Sequence, residues 1–495
     1  MRKRISLLAV SAALSFLSWN AGAQYVQEAE KPQENQETVV ITLEDAIRIA
    51  LSENISVKVA DKEIERVGWA KKGTYASLFP QINATGSYQR TLKKQVMYMD
   101  FDMSSLGGAA AGGGSGSENA GGGAESRAAS SGGSGGIEVG RWNTYSAGVA
   151  ASMPLVNAQI WESLKLSGQQ VELAVEQARE SRLNTVTSVK QAFYAVLLAK
   201  EAFEVYRDVY ENAVANFSQT EKRYNVEKAS ELEYTRAKAT VANAIPNVYN
   251  AESSVILALW QLKAVMGIDL DTEIDVAGSL KDYSESMFRD IHENDDADLA
   301  GNTSLRQLAI QAEQLATTVR MQRAANLPSL ALSFSYSYNA MTNDFKFSEY
   351  RWTPYSFLGL SLNIPIFSGG SRRAAVKQAK IQSQELDMQR INAERQLKIG
   401  IRSSLQTMET SMKSYIAAQD AVKTAQKGYD IASKSYNVGR STITELNDAQ
   451  LALTQARLSE SQAIYNFVTA KSGLEQTLGH DFIDEDGNVN FEAYE

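Results

Sequence analysis

Cysteine is absent from all 495 residues, which excludes disulfides, thiolate metal sites and a cysteine-anchored lipid. Histidine is nearly absent. His292 and His480 stand far apart in sequence, so neither a transition-metal centre nor imidazole-based catalysis is expected. Long apolar runs are missing too: beyond the first 23 residues they are about as short as VILALW at 255 to 260, and a spanning helix needs ~20 apolar residues. The net charge of −9 comes without a basic face, so nucleic acid is not an expected partner. No activated nucleophile and no phosphate-cradling G-x-x-x-x-G-K-[ST] is present, so neither an enzyme nor a cofactor is expected. DFIDEDGNVNFEA imitates a calcium loop with Gly487 at its sixth position. Phe482 and Ala493, however, occupy the positions of the first and twelfth ligands.

What is present begins with a basic Arg2-Lys3-Arg4, an apolar run from Ile5 to Trp19 and a small-x-small site at Ala21-Gly22-Ala23, the pattern of a signal peptide over 1–23. Cleavage before Gln24 would remove three basic residues and take the net charge from −9 to −12. The 24–41 segment after it reads as flexible and acidic.

The remainder is written twice. RYNVEKASELEYTRAKATVANA at 223–244 aligns with SYNVGRSTITELNDAQLALTQA at 435–456, a shift of 212 that also pairs Met266-Gly267 with Leu478-Gly479. MPLVN at 153–157 matches IPIFS at 364–368, and SLFPQI at 77–82 matches ANLPSL at 325–330. Each half, 42–267 and 301–479, runs helix, strand hairpin, long helical hairpin, with an acidic segment 268–300 between them and an acidic tail 480–495. The strand hairpins fall at 80–155 and 328–366, and the helical hairpins at 158–266 and 369–478. Pro80 and Pro154 are 74 residues apart against 37 for Pro328 and Pro365, and a Gly/Ser-rich block at 104–136 nearly accounts for the excess. That block is therefore an insertion inside the first hairpin rather than a linker between domains.

Between the prolines apolar and polar residues alternate. Ile82, Ala84, Gly86 and Tyr88 oppose Asn83, Thr85, Ser87 and Gln89, while Leu330, Leu332, Phe334, Tyr336 and Tyr338 oppose Ser333, Ser335 and Ser337. Tyr145, Ala147, Val149, Ala151 and Met153, and Leu358, Leu360, Leu362 and Ile364, complete four strands with one apolar face. The prolines are expected where strand meets helix. From about Ala158 to Tyr224 and Gly370 to Tyr436 the chain is helical for roughly 100 Å at 1.5 Å per residue. Shorter helices are expected near 42–79, 229–266, 301–327 and 441–478. Leu405, Met408, Met412, Tyr415, Ala418, Val422, Ala425, Tyr429, Ala432 and Tyr436 step by three and four, a coiled-coil seam with a slip between Tyr415 and Ala418.

Four strands cannot close a membrane barrel, since such barrels start at eight. Several chains sharing one barrel satisfy the pattern, and three would give twelve strands. Trp142, Tyr145, Tyr336, Tyr338, Tyr350, Trp352, Tyr355 and Phe357 crowd the loop ends as interface girdles do.

ITLEDAIRIALSENISVKVA, LNIPIFSGGSRRAAVKQA and YNVGRSTITELNDAQ, in this order and duplicated, resemble the TolC-like outer-membrane efflux family from Thr42 to Gly479. The resemblance implies a mixed α and β membrane protein: a homotrimer whose shared barrel in outer-membrane lipid continues into a periplasmic coiled-coil barrel of a Gram-negative cell. It implies passive export, with an inner-membrane pump of the RND or ABC type and a periplasmic adaptor as partners, and a belt around the helical barrel formed by 268–300 and the tail.

By the same resemblance, Tyr436, Glu445 and Asp448 guard the periplasmic entrance, and Glu233 is the residue that Tyr436 would hydrogen-bond when closed. The family's second acid is replaced by Arg236 in the first repeat. Ser441 stands where the tip arginine is usual, with Arg440 one place earlier, so the tyrosine–arginine–acid latch departs from the family pattern. Three copies of Glu445 and Asp448 around a threefold axis would form a ring that attracts cations. Gly439 suits a tight turn, yet Glu227 fills its counterpart, so the two tips are expected to differ in shape. Asn225, Val226, Asn437, Val438 and Gly439 are the expected adaptor contacts. A structural or adhesive coiled-coil surface protein is the alternative. The duplicated Pro-bounded hairpins weigh against it, and the lipoyl-like and barrel halves of an adaptor are absent.

Overall fold

The computed structural model describes residues 39–97, 137–285, 287 and 299–479. The expected signal peptide, the Gly/Ser-rich block, the calcium-like loop and both histidines lie outside the described residues. Strand β1 (Val39–Ile41) comes first, followed by helix α1 (Leu43–Glu53) and helix α2 (Ile55–Ala76). One helix over 42–79 was the expectation, and Asn54 divides it. Extended at φ −60 and ψ 128, Asn54 ends α1 and caps α2, accepting the Ser56 amide at 2.7 Å while its Nδ2 donates to the Val265 carbonyl at 2.6 Å. A short amide side chain competes with the helix for backbone partners, so the break falls on this residue.

The first repeat continues with β2 (Gln81–Arg90), β3 (Gln95–Met97), β4 (Ile137–Val139), β5 (Asn143–Val156), α3 (Ala158–Asn225) and α4 (Glu231–Met266). Strand β6 (Ile274–Val276) precedes the second repeat: α5 (Thr303–Ala324), β7 (Ser329–Thr342), β8 (Thr353–Asn363), α6 (Ser371–Asn437) and α7 (Ile443–Leu478). Helices α3 and α6 have 68 and 67 residues, each about 100 Å long.

The four long strands form one antiparallel sheet in the order β2-β5-β7-β8. Its register carries the alternation across the sheet: Ile82, Ala151, Phe334 and Leu358 stand in one row, and Ser87, Ser146 and Asn339 in a row of the other face. Ser87 and Ser146 share a hydrogen bond of 2.7 Å there. Two of the expected girdle aromatics are on that polar face, because Tyr355 pairs with Ser337 and Phe357 with Ser335. Pro154 lies inside β5 rather than at its end. A register shift between Pro154 and Val156 absorbs its missing N–H.

Among the described residues only the 344–350 connection lies against this sheet, where Phe347 and Tyr350 pack on Tyr145 at one end. β2 is exposed along its whole length, and Leu358, Leu360 and Leu362 are 71, 67 and 62 % exposed. Both edges, β2 and β8, lack a partner among the described residues. Such edges and faces call for other chains and an apolar surround.

The core lies at mid-height of the helices, where Phe193, Leu197, Leu262, Met266, Ile464 and Phe467 are almost wholly buried. β1 and β6 pair in parallel beside it, with Val39 opposite Ile274. Residues 39–41 are therefore not part of a flexible segment, and the acidic 268–300 stretch sends Ile274, Val276, Leu280 and Met287 into the core. No described helix is long and apolar enough to cross a membrane.

Candidate functional site at the helical tips

The two helical hairpins turn at 226–230 and 438–442. Both turns close in the same way. Glu227 N–H reaches the Tyr224 carbonyl at 2.9 Å and Lys228 N–H the Arg223 carbonyl at 2.8 Å; Gly439 and Arg440 repeat the pattern to Tyr436 at 3.0 Å and Ser435 at 2.8 Å. Glu227 takes φ 59 where Gly439 takes φ 75. The expectation that the tips differ in shape is thus overturned: the hydrogen bonds of the turn hold a glutamate in the left-handed region. A non-glycine residue there costs roughly 1–2 kcal/mol.

Helices α4 and α7 each begin with a capping box. Ser230 Oγ accepts the Glu233 amide at 3.2 Å, and the Glu233 carboxylate accepts the Ser230 amide at 3.2 Å. Thr442 and Glu445 do the same at 3.3 and 3.1 Å, and the Ser441 hydroxyl also donates to Glu445. Ser441 above all, then the Thr442 amide, holds the Glu445 carboxyl below its ordinary range, against weak desolvation. The signature was present in the sequence as Ser230-x-x-Glu233 and Thr442-x-x-Glu445.

Tyr436 is 1 % exposed, packed with Ala237, Ile443 and Leu446. Its hydroxyl does not go to Glu233. It lies 2.5 Å from Thr220 Oγ1, and Thr220 donates in turn to the Asn216 carbonyl at 2.8 Å, which makes Tyr436 the donor. Glu233 is committed to its own cap. Arg223 completes the clasp, donating to the Tyr436 carbonyl at 3.0 Å with its guanidinium carbon 5.4 Å from the ring centre. Arg236 donates to Thr444 Oγ1 at 3.1 Å, and Asn447 to Thr240 Oγ1 at 3.1 Å, so α4 meets α7 as α3 meets α6. Thr220 and Arg223 could not be found by matching repeats, because Ala432 and Ser435 stand at their equivalent places and Tyr224, the counterpart of Tyr436, stacks on Tyr234 at 4.9 Å instead.

Glu445 and Asp448 are exposed on α7, as are Asn225, Val226, Asn437, Val438 and Gly439 at the turns. Val226 and Val438 are 61 and 70 % exposed.

The profile of the outer membrane efflux protein family matches residues 46–268 and 296–480. The chain belongs to this family. Outer membrane protein TolC of Vibrio cholerae is 23 % identical over 346 residues, spanning 68 % of this chain and 76 % of TolC. The alkaline protease secretion protein AprF of Pseudomonas aeruginosa is 23 % identical over 343 residues, 67 % of this chain and 69 % of AprF. The Campylobacter jejuni CmeC outer membrane channel superposes with a TM-score of 0.66 at 16 % identity, covering 91 % of this chain and 90 % of CmeC.

The fold is that of the trimeric outer-membrane channels, a β-barrel continued by a helical tunnel into the periplasm. The efflux family is one of channels, not enzymes. Its members form homotrimers and work with periplasmic adaptors and inner-membrane RND or ABC pumps.

Proposed function

We propose that this efflux-family chain forms the exit duct of a tripartite export assembly, conducting substrates passively from an inner-membrane pump and periplasmic adaptor to the outside. One observation carries the reading. A sheet exposed on both faces and open at both edges runs directly into helices of about 100 Å, and only several chains around an axis turn that into a barrel with a tunnel. In a passive conduit of this kind, selection of substrate falls to the pump.

The hairpin tips act as the gate. Opening moves the α6–α7 hairpin away from α3 and α4, which breaks the Tyr436–Thr220, Arg223–Tyr436, Arg236–Thr444 and Asn447–Thr240 hydrogen bonds. That is on the order of a few kcal/mol, within reach of a docking partner. Asn225, Val226, Asn437, Val438 and Gly439 present the adaptor-contacting surface, and Glu445 with Asp448 forms an acidic ring at the entrance. The capping box leaves Glu445 ionised, so its structural role and its charge coexist.

Planar-bilayer recording tests this directly. Purified trimers should give cation-preferring channels of low resting conductance that rise when the tip hydrogen bonds are removed. A protein that inserts but never conducts, even after those substitutions, would exclude the duct reading.

A further inference from the structure

The internal duplication predicts how neighbouring chains meet, because one chain already contains the contact once. Helices α2 and α5 have 22 residues each and begin at equivalent caps, Asn54 and Asn302. Asn54 donates to the Val265 carbonyl and Asn302 to the Thr477 carbonyl, both at 2.6 Å. Helices α3 and α6 superpose at a shift of 212, which carries buried Ser167, Ala174, Val189 and Val196 onto buried Ala379, Leu386, Ile401 and Met408. In the sheet order β2-β5-β7-β8, α2 leads into one open edge and α6 leaves from the other. Edge-to-edge closure therefore seats α2 of the next chain on α6, as α5 sits on α3 within the chain.

The internal seam is polar. Gln169 accepts from Thr317 at 2.9 Å, Glu176 pairs with Arg306 at 3.7 Å, Glu180 accepts from Gln307 at 2.6 Å, and Arg179 donates to the Gly301 and Gly479 carbonyls at 3.2 and 3.0 Å. At six of the equivalent places of the outer seam the sequence is apolar. Gln169, Glu176 and Arg179 become Ile381, Met388 and Ile391, while Thr303, Gln307 and Thr317 become Ile55, Val59 and Trp69.

All six are open to solvent in the single chain. Ile381, Met388 and Ile391 are 45, 69 and 52 % exposed, and Ile55, Val59 and Trp69 are 73, 62 and 63 %. Their internal counterparts Gln169, Glu176 and Thr317 are 6, 7 and 0 % exposed, so the same geometry buries them once a neighbour is seated.

We infer that the α6 stripe Ile381, Met388 and Ile391 docks on Ile55, Val59 and Trp69 of a second copy of this chain, an apolar seam where the internal repeat uses ions and amides. This register rests on the trimeric reading. The difference in chemistry has a purpose: an apolar seam drives association of separate chains, whereas a polar one within a chain needs only to align helices already tethered. Three equivalences lack this logic, since Arg306 maps to Lys58, Glu180 to Asn392, and the Arg320–Glu162 pair to Lys72 and Ala374.

The cysteine-free chain makes the test direct. In isolated outer membranes, full-length protein carrying Ile381→Cys and Trp69→Cys, treated with a short bis-maleimide, should yield covalent dimers and trimers. Gln169→Cys with Thr317→Cys should crosslink within one chain and stay at monomer mass. The Ile381→Glu, Met388→Glu pair should raise the monomer fraction at least ~10-fold on detergent challenge, because it buries unpaired carboxylates. Ile381→Leu with Met388→Leu should not. A native trimer that fails to crosslink through 381 and 69, or that tolerates both glutamates, overturns the seam while leaving the trimer intact. A monomer by native mass overturns the trimeric reading as well.

Discussion

The Tyr436 hydroxyl, on the last turn of α6, lies 2.5 Å from Thr220 Oγ1 on α3, and both residues are almost wholly buried. A phenol sealed among apolar side chains needs this one partner, so the bond fixes the distance between the two hairpins. Thr220→Val should leave the hydroxyl buried without an acceptor, at a cost of about 1–3 kcal/mol, and raise the resting open probability. Tyr436→Phe removes the donor as well. The double variant should then be less perturbed than the two singles summed, with a coupling of about 1 kcal/mol in a double-mutant cycle. Additive effects on single-channel open probability would remove Thr220 from the gate.

Arg223 holds the same tyrosine through its backbone carbonyl and its ring. Arg223→Ala should open the tip more than Arg236→Ala, whose hydrogen bond ends on the exposed Thr444. Conductance of the two variants at equal voltage ranks them, and the reverse order would move the clasp from α3 to α4.

Glu227 sits at φ 59 in a turn whose twin uses glycine. Glu227→Gly should relieve roughly 1 kcal/mol of backbone strain, and Gly439→Ala should add a similar amount. Hydrogen exchange of the amides flanking each turn reads the change locally, whereas the midpoint of global unfolding will hardly register it. Faster exchange in Glu227→Gly would show that the glutamate side chain, not the turn, stabilises that tip.

The capping box makes a pH prediction with a definite sign. Ser441 and the Thr442 amide bind the ionised Glu445, lowering its folded-state pKa. Its contribution is therefore complete above the unfolded carboxyl pKa and is lost only as pH falls through the lowered folded value. Glu445→Gln keeps an acceptor for Thr442 but removes the titration, so protection of the first turn of α7 should become flat across the acid range. Cation block measured at neutral pH should weaken in Glu445→Ala with Asp448→Ala. Block unchanged in that double variant eliminates the acidic ring.

Much of this fold is legible in the chain because its signals are periodic and repeated. Leu330, Leu332 and Phe334 alternate with Ala331, Ser333 and Ser335, and their register onto Leu362, Leu360 and Leu358 follows from that alternation. The three-and-four stepping of Met408, Tyr415, Ala418 and Tyr436 likewise survives as burial. What could not be read are contacts chosen by tertiary geometry. Thr220 and Tyr436 lie 216 residues apart, and nothing local distinguishes Thr220 from other helical threonines that bond a carbonyl one turn back. Asn54 was a local signal left unread, because a polar residue at a helix joint matters only when a carbonyl such as that of Val265 waits beside it. The capping boxes show a different failure: resemblance points to Glu233 as the partner of Tyr436 and to Glu445 as a ring charge, while their spacing from Ser230 and Thr442 already gives both a local role.

Gly267 and Gly479 end equivalent helices in left-handed conformation, at φ 77 and 69, and are pressed against the caps of α2 and α5. A Cβ on Gly479 would stand 2.1 Å from the Gly301 carbonyl oxygen, whereas one on Gly267 would stand 2.8 Å from that of Glu53. The surroundings differ as well. Arg179 ties the Gly301 and Gly479 carbonyls together inside a buried joint, whereas the Glu53–Gly267 joint is exposed and tied through Asn54 to the Val265 carbonyl. Gly479→Ala should therefore block accumulation of folded trimer, while Gly267→Ala should fold with a lowered unfolding temperature. Yield of heat-resistant trimer from isolated membranes distinguishes the two. Equal yields would mean that the left-handed backbone, common to both glycines, limits these sites rather than the close approach of the neighbouring chain segment.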